Sequence, residues 1–522
     1  MAKKKANGKQ KSMEETLWDS ANKLRGTVES SEYKHVVLGL IFLKFVSDKF
    51  VARREEMIAD GEQDFLEMQE FYASKNVFFL PEESRWSFII DNAKQDDIAL
   101  KIDTALHTIE KNNPSLKGAL PDNYFSRLNM DVSKLSALLD TINDIDTLTD
   151  KQQDIVGRVY EYFLSKFAIA EGKGKGEFYT PKSIVNLIAE MIEPYKGVIY
   201  DPACGSGGMF VQSMKFIENH HGNKKEVSIY GQEYTATTYK LAKMNLAIRG
   251  IAANFGAVPA DTFGKDQHKD LKADYIMANP PFNQKDWRAA DELTDDPRWA
   301  GYETPPTSNA NYAWILNMAS KLSQNGVAGF ILANGALSGG GEEYKIRKQL
   351  IKNNLVEAIC VLPQNMFYTT NISVTLWILN NNKRERVVEH PDDTRNYRNR
   401  EEEILFMDLR EMGEPFEKKY IQFNQEDHIQ KIAKTYHDWQ QNLDFKNIPE
   451  YCYGTTKAEV IAKDYSLVPS KYIEFINRDE NIDFDTKMTT LKTEFSELLK
   501  AEEKSKADLL NVFKELGYEV KL

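Results

Sequence analysis

The spacing of apolar residues divides the chain into regions with different periodicities. From Glu14 to about Phe167, apolar residues recur at steps of three and four, as they do on the buried face of a helix. The clearest run consists of Val156, Val159, Tyr160, Phe163, Leu164 and Phe167. The pattern predicts a helical amino-terminal domain.

After the basic, glycine-rich stretch 172–176, short β-rich runs alternate with amphipathic helical patterns. Each run has the continuous apolar character of a buried strand. The runs are Val198–Tyr200, Val227–Tyr230, Tyr275–Ala278, Val327–Leu332, Ala358–Leu362 and Val374–Leu379. Strands separated by helices predict βαβ units and a doubly wound sheet. The spacing in 172–176 is wrong for a phosphate-binding loop, which favours a linker.

A heptad pattern returns near the end of the chain. One seam carries Met488, Leu491, Phe495, Leu498, Leu509, Val512 and Leu516, and is interrupted by Glu502 and Ser505. A long amphipathic helix of this kind either docks on a partner or packs on its own subunit.

Composition limits the class of protein. The chain has 522 residues, 42% of them hydrophobic and 28% charged, as in soluble globular proteins of two or three domains. Its longest apolar stretch, Val36–Leu43, is too short to span a membrane, and the lysine-rich start lacks a secretory h-region. Cys204, Cys360 and Cys452 have no paired or metal-ligand spacing, which indicates a reducing cytoplasm.

A glycine-rich loop follows the first predicted strand. It reads Asp201-Pro-Ala-Cys-Gly-Ser-Gly-Gly208, and its glycines let the backbone approach a ligand closely. A tight β-to-α turn would explain the loop equally well. However, Glu233 ends the second strand, where a carboxylate in a Rossmann-like fold binds the ribose of a nucleoside cofactor.

A second motif, Asn279-Pro280-Pro281-Phe282, follows the strand Tyr275–Ala278. The two prolines fix the backbone, so that the Asn279 side chain and the Pro280 carbonyl can accept hydrogen bonds from one planar amino group. Phe282 offers a face on which an extruded base could stack. Alone, the tetrapeptide could be a rigid turn, but its combination with the glycine loop and Glu233 favours chemistry on a base.

A third motif, Gly176-Glu177-Phe178-Tyr179-Thr180-Pro181-Lys182, precedes an amphipathic helix. We expect Thr180 to be the N-cap of this helix and Pro181 its first residue. Capping does not explain Glu177, Phe178 and Tyr179.

The order of these three motifs resembles that of amino-group DNA methyltransferases, specifically the modification subunits of type I restriction systems. The resemblance extends from Leu17 to about Asn380 and includes the helical first domain. It implies a Rossmann-like α/β methyltransferase fold, with S-adenosylmethionine as cofactor and site-specific adenine-N6 methylation of DNA that protects the host from restriction.

The resemblance also assigns roles to residues. It implies a cofactor site formed by Glu177, Phe178, Tyr179, Thr180, Pro181, Lys182, Asp201, Ser206, Gly207, Gly208, Glu233 and Asp261, with Glu233 on the ribose and Asp261 at the cofactor's adenine. Asp261 could alternatively be a solvated loop cap. The implied catalytic residues are Asn279, Pro280, Pro281 and Phe282.

The implied mechanism flips an adenine from the duplex, and its amino nitrogen attacks the cofactor's methyl group in line. Asn279 and Pro280 accept the amino hydrogens. Neither a metal nor a covalent enzyme intermediate is needed. Cytosine-5 chemistry would need a cysteine nucleophile, but Cys204 lies in the glycine loop as a small residue and Cys360 in a predicted strand.

The net charge of −12 bears on partners, because phosphate neutralisation normally supplies most non-specific affinity for DNA. Either the chain carries a local basic groove or another subunit grips the DNA. The resemblance implies double-stranded DNA as substrate, two copies of this chain on one specificity subunit, and a restriction subunit able to join. The terminal helix is a candidate docking element for the specificity subunit.

We therefore predict a disordered basic tail (1–12), a helical domain (13–168), a methyltransferase domain (169–470) and a helical docking segment (471–522). Within the third, the long polar segment Asn283–Tyr312, with Trp287, Arg288, Arg298 and Trp299, is expected to order partly on DNA. Two alternatives stay open: a protein-glutamine or RNA amino-group methyltransferase, and a non-catalytic DNA-binding scaffold.

Overall fold

The computed structural model describes residues 15, 18, 19, 22, 30–145, 161–166, 180–367, 371–391, 393–416, 419–476 and 483–515. The chain divides into two units, residues 1–473 and 474–522. Among the described helices, none combines the length and the apolar character that a membrane span requires.

The first part of the larger unit is helical, as predicted. Its helices are α1 (Ser30–Ala59), α2 (Gln69–Ala73), α3 (Trp86–Asp91), α4 (Ile98–Asn112) and α5 (Val132–Asn143). They enclose an apolar core that includes Val37, Phe42 and Leu106. Phe163 and Leu164 are buried in the same core. The other members of the predicted helix face, Val156, Val159, Tyr160 and Phe167, lie outside the described residues.

A nine-stranded sheet forms the second part. Its strands are β1 (Gly197–Asp201), β2 (Val227–Gly231), β3 (Ala253–Asn254), β4 (Ala273–Ala278), β5 (Leu322–Ala333), β6 (Val356–Val361), β7 (Val374–Asn380), β10 (Glu403–Asp408) and β13 (Cys452–Thr456). Across the sheet the order is β3-β2-β1-β4-β5-β7-β6-β10-β13. Two small hairpins pair β8 (Arg386–Glu389) with β9 (Thr394–Tyr397) and β11 (Glu414–Phe416) with β12 (Tyr420–Gln422).

The sheet contains both parallel and antiparallel strand pairs. β1 is parallel to β2 and β4, and β4 is parallel to β5, as βαβ units require. β7 instead runs antiparallel to both β5 and β6. The expectation of βαβ units is therefore wrong for β7, because the link 362–373 contains no helix among its described residues.

Helices cover both faces of the sheet. They are α6 (Lys182–Ile192), α7 (Gly208–Asn219), α8 (Ala236–Ile248), α9 (Asn311–Lys321), α10 (Gly341–Lys352), α11 (Gln430–Gln441) and α12 (Lys457–Ala462). α6, α7, α8 and α11 pack on one face and α9 and α10 on the other. This is the three-layer α/β fold expected from the sequence.

Helix α8 joins the helical region to the sheet. Leu241 and Met244 are buried in the helical core, whereas Ala242 and Leu246 are buried against the sheet. The Lys240 ammonium also donates to the Leu120 carbonyl at 3.0 Å. One helix therefore fixes the helical domain against the α/β domain.

The smaller unit contains helix α13 (Phe484–Glu515), 32 residues long. Its apolar seam is exposed: Leu491 is 48% exposed, Phe495 64% and Leu498 68%. Leu516, the last predicted member of the seam, lies outside the described residues.

Candidate active site at the carboxyl edge of the sheet

Three neighbouring parallel strands bring the predicted site residues to one edge of the sheet. Asp201 is the last residue of β1, Glu233 lies two residues beyond β2, and Asn279 directly follows β4. β1 lies between β2 and β4. The three motif residues therefore belong to one cleft, the usual ligand site of an open α/β sheet.

Backbone hydrogen bonds tie the glycine loop to the end of β2. Gln232 N donates to the Asp201 carbonyl, and Cys204 N to the Gln232 carbonyl, both at 3.0 Å. Gly207 has φ +80°, a conformation that side chains with a Cβ rarely adopt, and it caps the start of α7. The loop can therefore present its backbone to a ligand at a helix N-terminus.

Glu233 holds the same loop through its carboxylate. Oε2 accepts from Gly205 N at 3.1 Å and Oε1 from Thr235 N at 2.8 Å. Burial raises the pKa of Glu233, although these hydrogen bonds oppose the shift. Each oxygen keeps a further lone pair for a hydroxyl donor.

Asp201 is buried beside Glu233. Burial raises the pKa of Asp201 to about 8, the Ala203 amide opposes this shift, and the negative charge of Glu233 adds to it. The Ala203 amide donates to Oδ1 at 3.0 Å. Two neighbouring carboxyl groups, one of them fully buried, favour a cationic ligand group.

Asp261 lies in a turn attached to the end of β2. Ala260 N donates to the Glu233 carbonyl at 2.9 Å, so Asp261 directly follows a residue anchored to Glu233. Its Oδ2 accepts from Gly264 N at 2.9 Å. The carboxylate therefore caps its own turn, and the turn stands next to the predicted ribose site.

The Asn279 side chain contacts the segment that precedes α6. Asn279 Nδ2 donates to Thr180 Oγ1 at 2.9 Å, while Oδ1 is buried without a hydrogen-bond partner among the described residues. The expected roles of Thr180 and Pro181 are wrong: α6 begins at Lys182, Pro181 is its N-cap and not its first residue, and no side chain caps the helix. The Thr180 hydroxyl instead accepts the hydrogen bond from Asn279.

The rest of the tetrapeptide is firmly supported. Pro280 is buried, and Phe282 is half-buried, edge-to-face with Phe367 at 5.7 Å between ring centroids. The next residue, Asn283, exchanges hydrogen bonds with the side chain of Asn311 at the start of α9. Both ends of the motif are therefore held by the protein.

The structure thus brings Thr180, Pro181, Asp201, the loop Ser206–Gly208, Glu233, Asp261 and Asn279–Phe282 to one edge of the sheet. Lys182 is exposed as the first residue of α6. Glu177, Phe178 and Tyr179 lie outside the described residues.

None of the three cysteines is activated. Cys204, Cys360 and Cys452 are free and buried. Burial raises the pKa of each thiol. A thiolate nucleophile is disfavoured at all three positions.

The long segment after the tetrapeptide folds onto the site. The Trp287 indole donates to the Pro306 carbonyl at 2.8 Å, and the Trp299 indole to the Leu293 carbonyl at 2.7 Å. Arg288 donates to carbonyls within the segment, whereas Arg298 reaches the Thr262 and Phe263 carbonyls. Ordering of part of this segment on DNA stays a prediction.

Two supporting residues were missed by the sequence reasoning. The Asn245 side chain, buried in α8, donates to the Ser206 carbonyl at 2.7 Å and so supports the glycine loop. Phe367 supports Phe282 from the loop after β6. The available signals were an asparagine inside an apolar helix pattern and an aromatic residue just beyond a buried strand.

Comparison with known proteins gives two family matches. Residues 151–481 match the family described as N-6 DNA Methylase, and residues 13–144 match the HsdM N-terminal domain. The methylase subunit of the type I restriction enzyme HindI from Haemophilus influenzae is 42% identical over 82% of this chain and 94% of its own length. The MjaIX methylase subunit from Methanocaldococcus jannaschii is 35% identical over 97% of this chain and 91% of its own length.

Solved structures share the fold. A type I restriction-modification methyltransferase subunit from Streptococcus thermophilus superposes with a TM-score of 0.72 at 23% identity, covering 88% of this chain and 99% of that one. A modification subunit of a type I restriction enzyme from Vibrio vulnificus gives a TM-score of 0.59 at 19% identity, covering 93% of this chain and all of that one.

Proposed function

Because this chain belongs to the N-6 DNA methylases, as a methylase subunit of the type I restriction enzymes, we propose that Asn279 and Pro280 orient a flipped adenine at the cleft described above. The chain is an S-adenosylmethionine-dependent adenine-N6 DNA methyltransferase.

The cleft has the chemistry that the cofactor requires. A Cβ built at Gly205 or Gly208 meets nothing within 4 Å, so the loop leaves open space beside its backbone. Asp201 suits the cofactor's ammonium group, because burial raises the pKa of its carboxyl group and a bound cation would offset that shift. Glu233 retains acceptor capacity for ribose hydroxyls. Asp261 is close to it, because the preceding residue, Ala260, is hydrogen-bonded to the Glu233 carbonyl.

The remaining cofactor residues that we propose either precede α6 in the sequence or begin it. We assign Glu177, Phe178, Tyr179, Thr180, Pro181 and Lys182 to the cofactor site, together with Ser206 and Gly207. Thr180 supports this assignment, because its contact with Asn279 ties the segment to the catalytic tetrapeptide.

The observation that carries the proposal is that Asn279 Oδ1 is buried and has no hydrogen-bond partner among the described residues. A buried acceptor without a partner is costly, by about 1–3 kcal/mol. The 2.9 Å bond from Nδ2 to Thr180 fixes the amide orientation, so Oδ1 remains available to an incoming donor. The exocyclic amino group of adenine is such a donor.

The chain's own groups then perform the orientation step. Asn279 Oδ1 accepts one amino hydrogen and the Pro280 carbonyl accepts the other, which directs the nitrogen lone pair away from the ring plane. Pro281 fixes the backbone that holds both acceptors. Phe282, supported by Phe367, stacks on the flipped base. The bound cofactor supplies an electrophilic methyl group on a sulfonium.

The test of substrate class is label transfer from tritiated S-adenosylmethionine, offered to unmethylated duplex DNA, RNA and protein in parallel, with this chain and a co-expressed specificity subunit. The proposal expects label in DNA alone, recovered as N6-methyladenine. Label in RNA or protein would move the chain to the rival methyltransferases. Cofactor binding without transfer to any substrate would make it a scaffold.

We further propose that this chain works on double-stranded DNA in the cytoplasm as two copies on one specificity subunit, with a restriction subunit able to join. The net charge of −12 supports a division of labour, because an acidic chain gains little affinity from DNA phosphates by itself. The exposed apolar seam of α13 supports a docking role for that helix.

Substitutions on α13 test the docking role. Phe495→Glu together with Leu498→Glu should abolish co-purification with the specificity subunit, because two carboxylates would replace exposed apolar side chains of the seam. Lys500→Glu, also exposed on α13, is the matched control and should leave co-purification intact. Co-purification that survives the double substitution would rule out docking through this seam.

The domain limits are proposed as 13–168 for the helical domain, 169–470 for the methyltransferase domain and 471–522 for the docking segment, after a basic tail of residues 1–12. The sheet supports a catalytic domain that continues past Asn380, because β10 and β13 extend the same sheet.

A further inference from the structure

The segment between the catalytic tetrapeptide and α9 packs against the turn that carries Asp261. Arg298 makes the polar contact: Nη1 donates to the Thr262 carbonyl at 2.8 Å and Nη2 to the Phe263 carbonyl at 2.7 Å. Two consecutive carbonyls of the turn are therefore held by one guanidinium.

Arg298 is itself fixed by Asp296. Nε donates to Oδ1 at 2.8 Å and Nη2 to Oδ2 at 2.7 Å, a bidentate pair whose side chains are 9% and 11% exposed. Burial by itself would raise the pKa of Asp296, but the hydrogen bonds and positive charge of Arg298 lower it. The pair is therefore charged at neutral pH and the guanidinium has a defined orientation.

Aromatic packing also holds this turn. The Phe263 ring lies 4.6 Å from Trp287 and 4.3 Å from Trp314, between ring centroids. The Arg298 guanidinium lies over the rings of Phe263 and Trp299, at 5.8 and 5.2 Å. The turn thus has little freedom to shift relative to the segment.

The contact continues to the glycine loop. Thr262 Oγ1 donates to the Pro202 carbonyl at 2.5 Å, and Pro202 directly follows Asp201. Hydrogen bonds therefore connect Asp296, through Arg298 and then Thr262, to the glycine loop. In the proposed function this loop binds the cofactor.

We propose that Arg298 is a positioning residue for the cofactor: it holds the Asp261–Phe263 turn where the cofactor's adenine binds, and so links the segment after the tetrapeptide to cofactor affinity. The inference rests on the proposed function, because Asp261 and the glycine loop are cofactor residues only within it.

The test compares two arginines of the same segment in the full chain. Arg298→Ala removes the hydrogen bonds to Thr262 and Phe263. Arg288→Ala removes an equal charge, but the hydrogen bonds of the Arg288 guanidinium stay within the segment. Calorimetry with S-adenosylmethionine should give a Kd about tenfold higher for Arg298→Ala and within about twofold of the parent for Arg288→Ala. In turnover assays with the specificity subunit, Arg298→Ala should raise KM for the cofactor about tenfold and change kcat by less than about threefold.

A second variant covers the case in which Arg298→Ala fails to fold. Asp296→Asn keeps the guanidinium but releases its bidentate partner, and should raise the Kd about threefold. Equal effects of Arg298→Ala and Arg288→Ala, or an unchanged Kd in both Arg298→Ala and Asp296→Asn, would overturn the inference. If the parent chain itself binds no S-adenosylmethionine, the proposed function fails instead, so the two failures are distinguishable.

Discussion

Asn279 Nδ2 donates a 2.9 Å hydrogen bond to Thr180 Oγ1, joining two residues that lie 99 positions apart in the chain. One belongs to the segment before α6 and the other to the end of β4. The bond sets the orientation of the amide, whose oxygen has no hydrogen-bond partner among the described residues and can accept from the substrate. It also makes the catalytic geometry dependent on a residue assigned to the cofactor site.

Thr180→Val should lower the single-turnover rate of methyl transfer about tenfold, because the Asn279 amide loses the acceptor that orients it. Thr180→Ser keeps a hydroxyl at the same position and is the matched control. We expect it to retain a rate within about threefold of the parent. Equal rates for the valine and serine variants would show that the hydrogen bond has no role in orientation.

Asp201 predicts a pH dependence of stability and of cofactor affinity. Its folded pKa of about 8 lies above the unfolded value of 3.8, so its contribution to stability is complete below about pH 4 and is lost as the pH rises towards 8. Asp201→Asn should therefore raise the Tm of the cofactor-free protein at pH 8 by about 2 °C or more. The gain should shrink towards pH 5.

The same substitution should remove most cofactor affinity, because a neutral amide cannot balance an ammonium group. For the parent chain, binding should weaken as the pH falls from 8 to 6, since the cationic ligand binds the deprotonated carboxylate. Calorimetry in buffers of different ionisation enthalpy measures the proton release. Binding without proton release at pH 7 would contradict this role.

Phe282 should contribute to substrate binding and not to cofactor binding. Phe282→Ala removes the stacking face and should lower kcat/KM for DNA by about tenfold or more. Phe282→Trp keeps an aromatic face and should preserve most activity. The Kd for S-adenosylmethionine should be the same in all three proteins, and a Kd that rises in parallel with the loss of activity would place Phe282 in the cofactor site.

Glu357 in β6 and Arg400 in the link between β9 and β10 form a fully buried ion pair, with both side chains 0% exposed. Glu357→Gln leaves the guanidinium without a counter-charge and should lower the free energy of unfolding by about 3 kcal/mol. The matched control is Glu401→Gln, which breaks the surface pair with Arg384, whose side chain is 76% exposed. Urea unfolding of the two variants should differ clearly, and similar midpoints would contradict the prediction.

The site was predictable where the chemistry lies in local motifs. Asp201, Glu233 and Asn279 follow apolar runs that are recognisable as strands, and the ends of parallel strands meet at one edge. The direction of β7 was not predicted from the pattern, because a buried antiparallel strand has the same continuous apolar sequence as a parallel one.

Contacts between segments that are distant in the chain were also not predictable from the sequence pattern. Thr180 was expected to cap a helix, since its local sequence suits that role, but its hydroxyl meets Asn279 through tertiary packing. Arg298 was recognised as part of a polar segment, whereas its bonds to Thr262 and Phe263 depend on how that segment folds back. The apolar seam of α13, by contrast, followed directly from heptad spacing.

The measurement that tests the central claim most directly is methyl transfer from tritiated S-adenosylmethionine to genomic DNA that lacks adenine methylation. The parent chain, Asn279→Ala and the control Asn325→Ala, an exposed position near the start of β5, are each assayed with and without the specificity subunit. We predict N6-methyladenine with the parent and Asn325→Ala, only when the specificity subunit is present, and a loss of at least about a hundredfold with Asn279→Ala. Methyl transfer by Asn279→Ala at the parent rate would contradict the account.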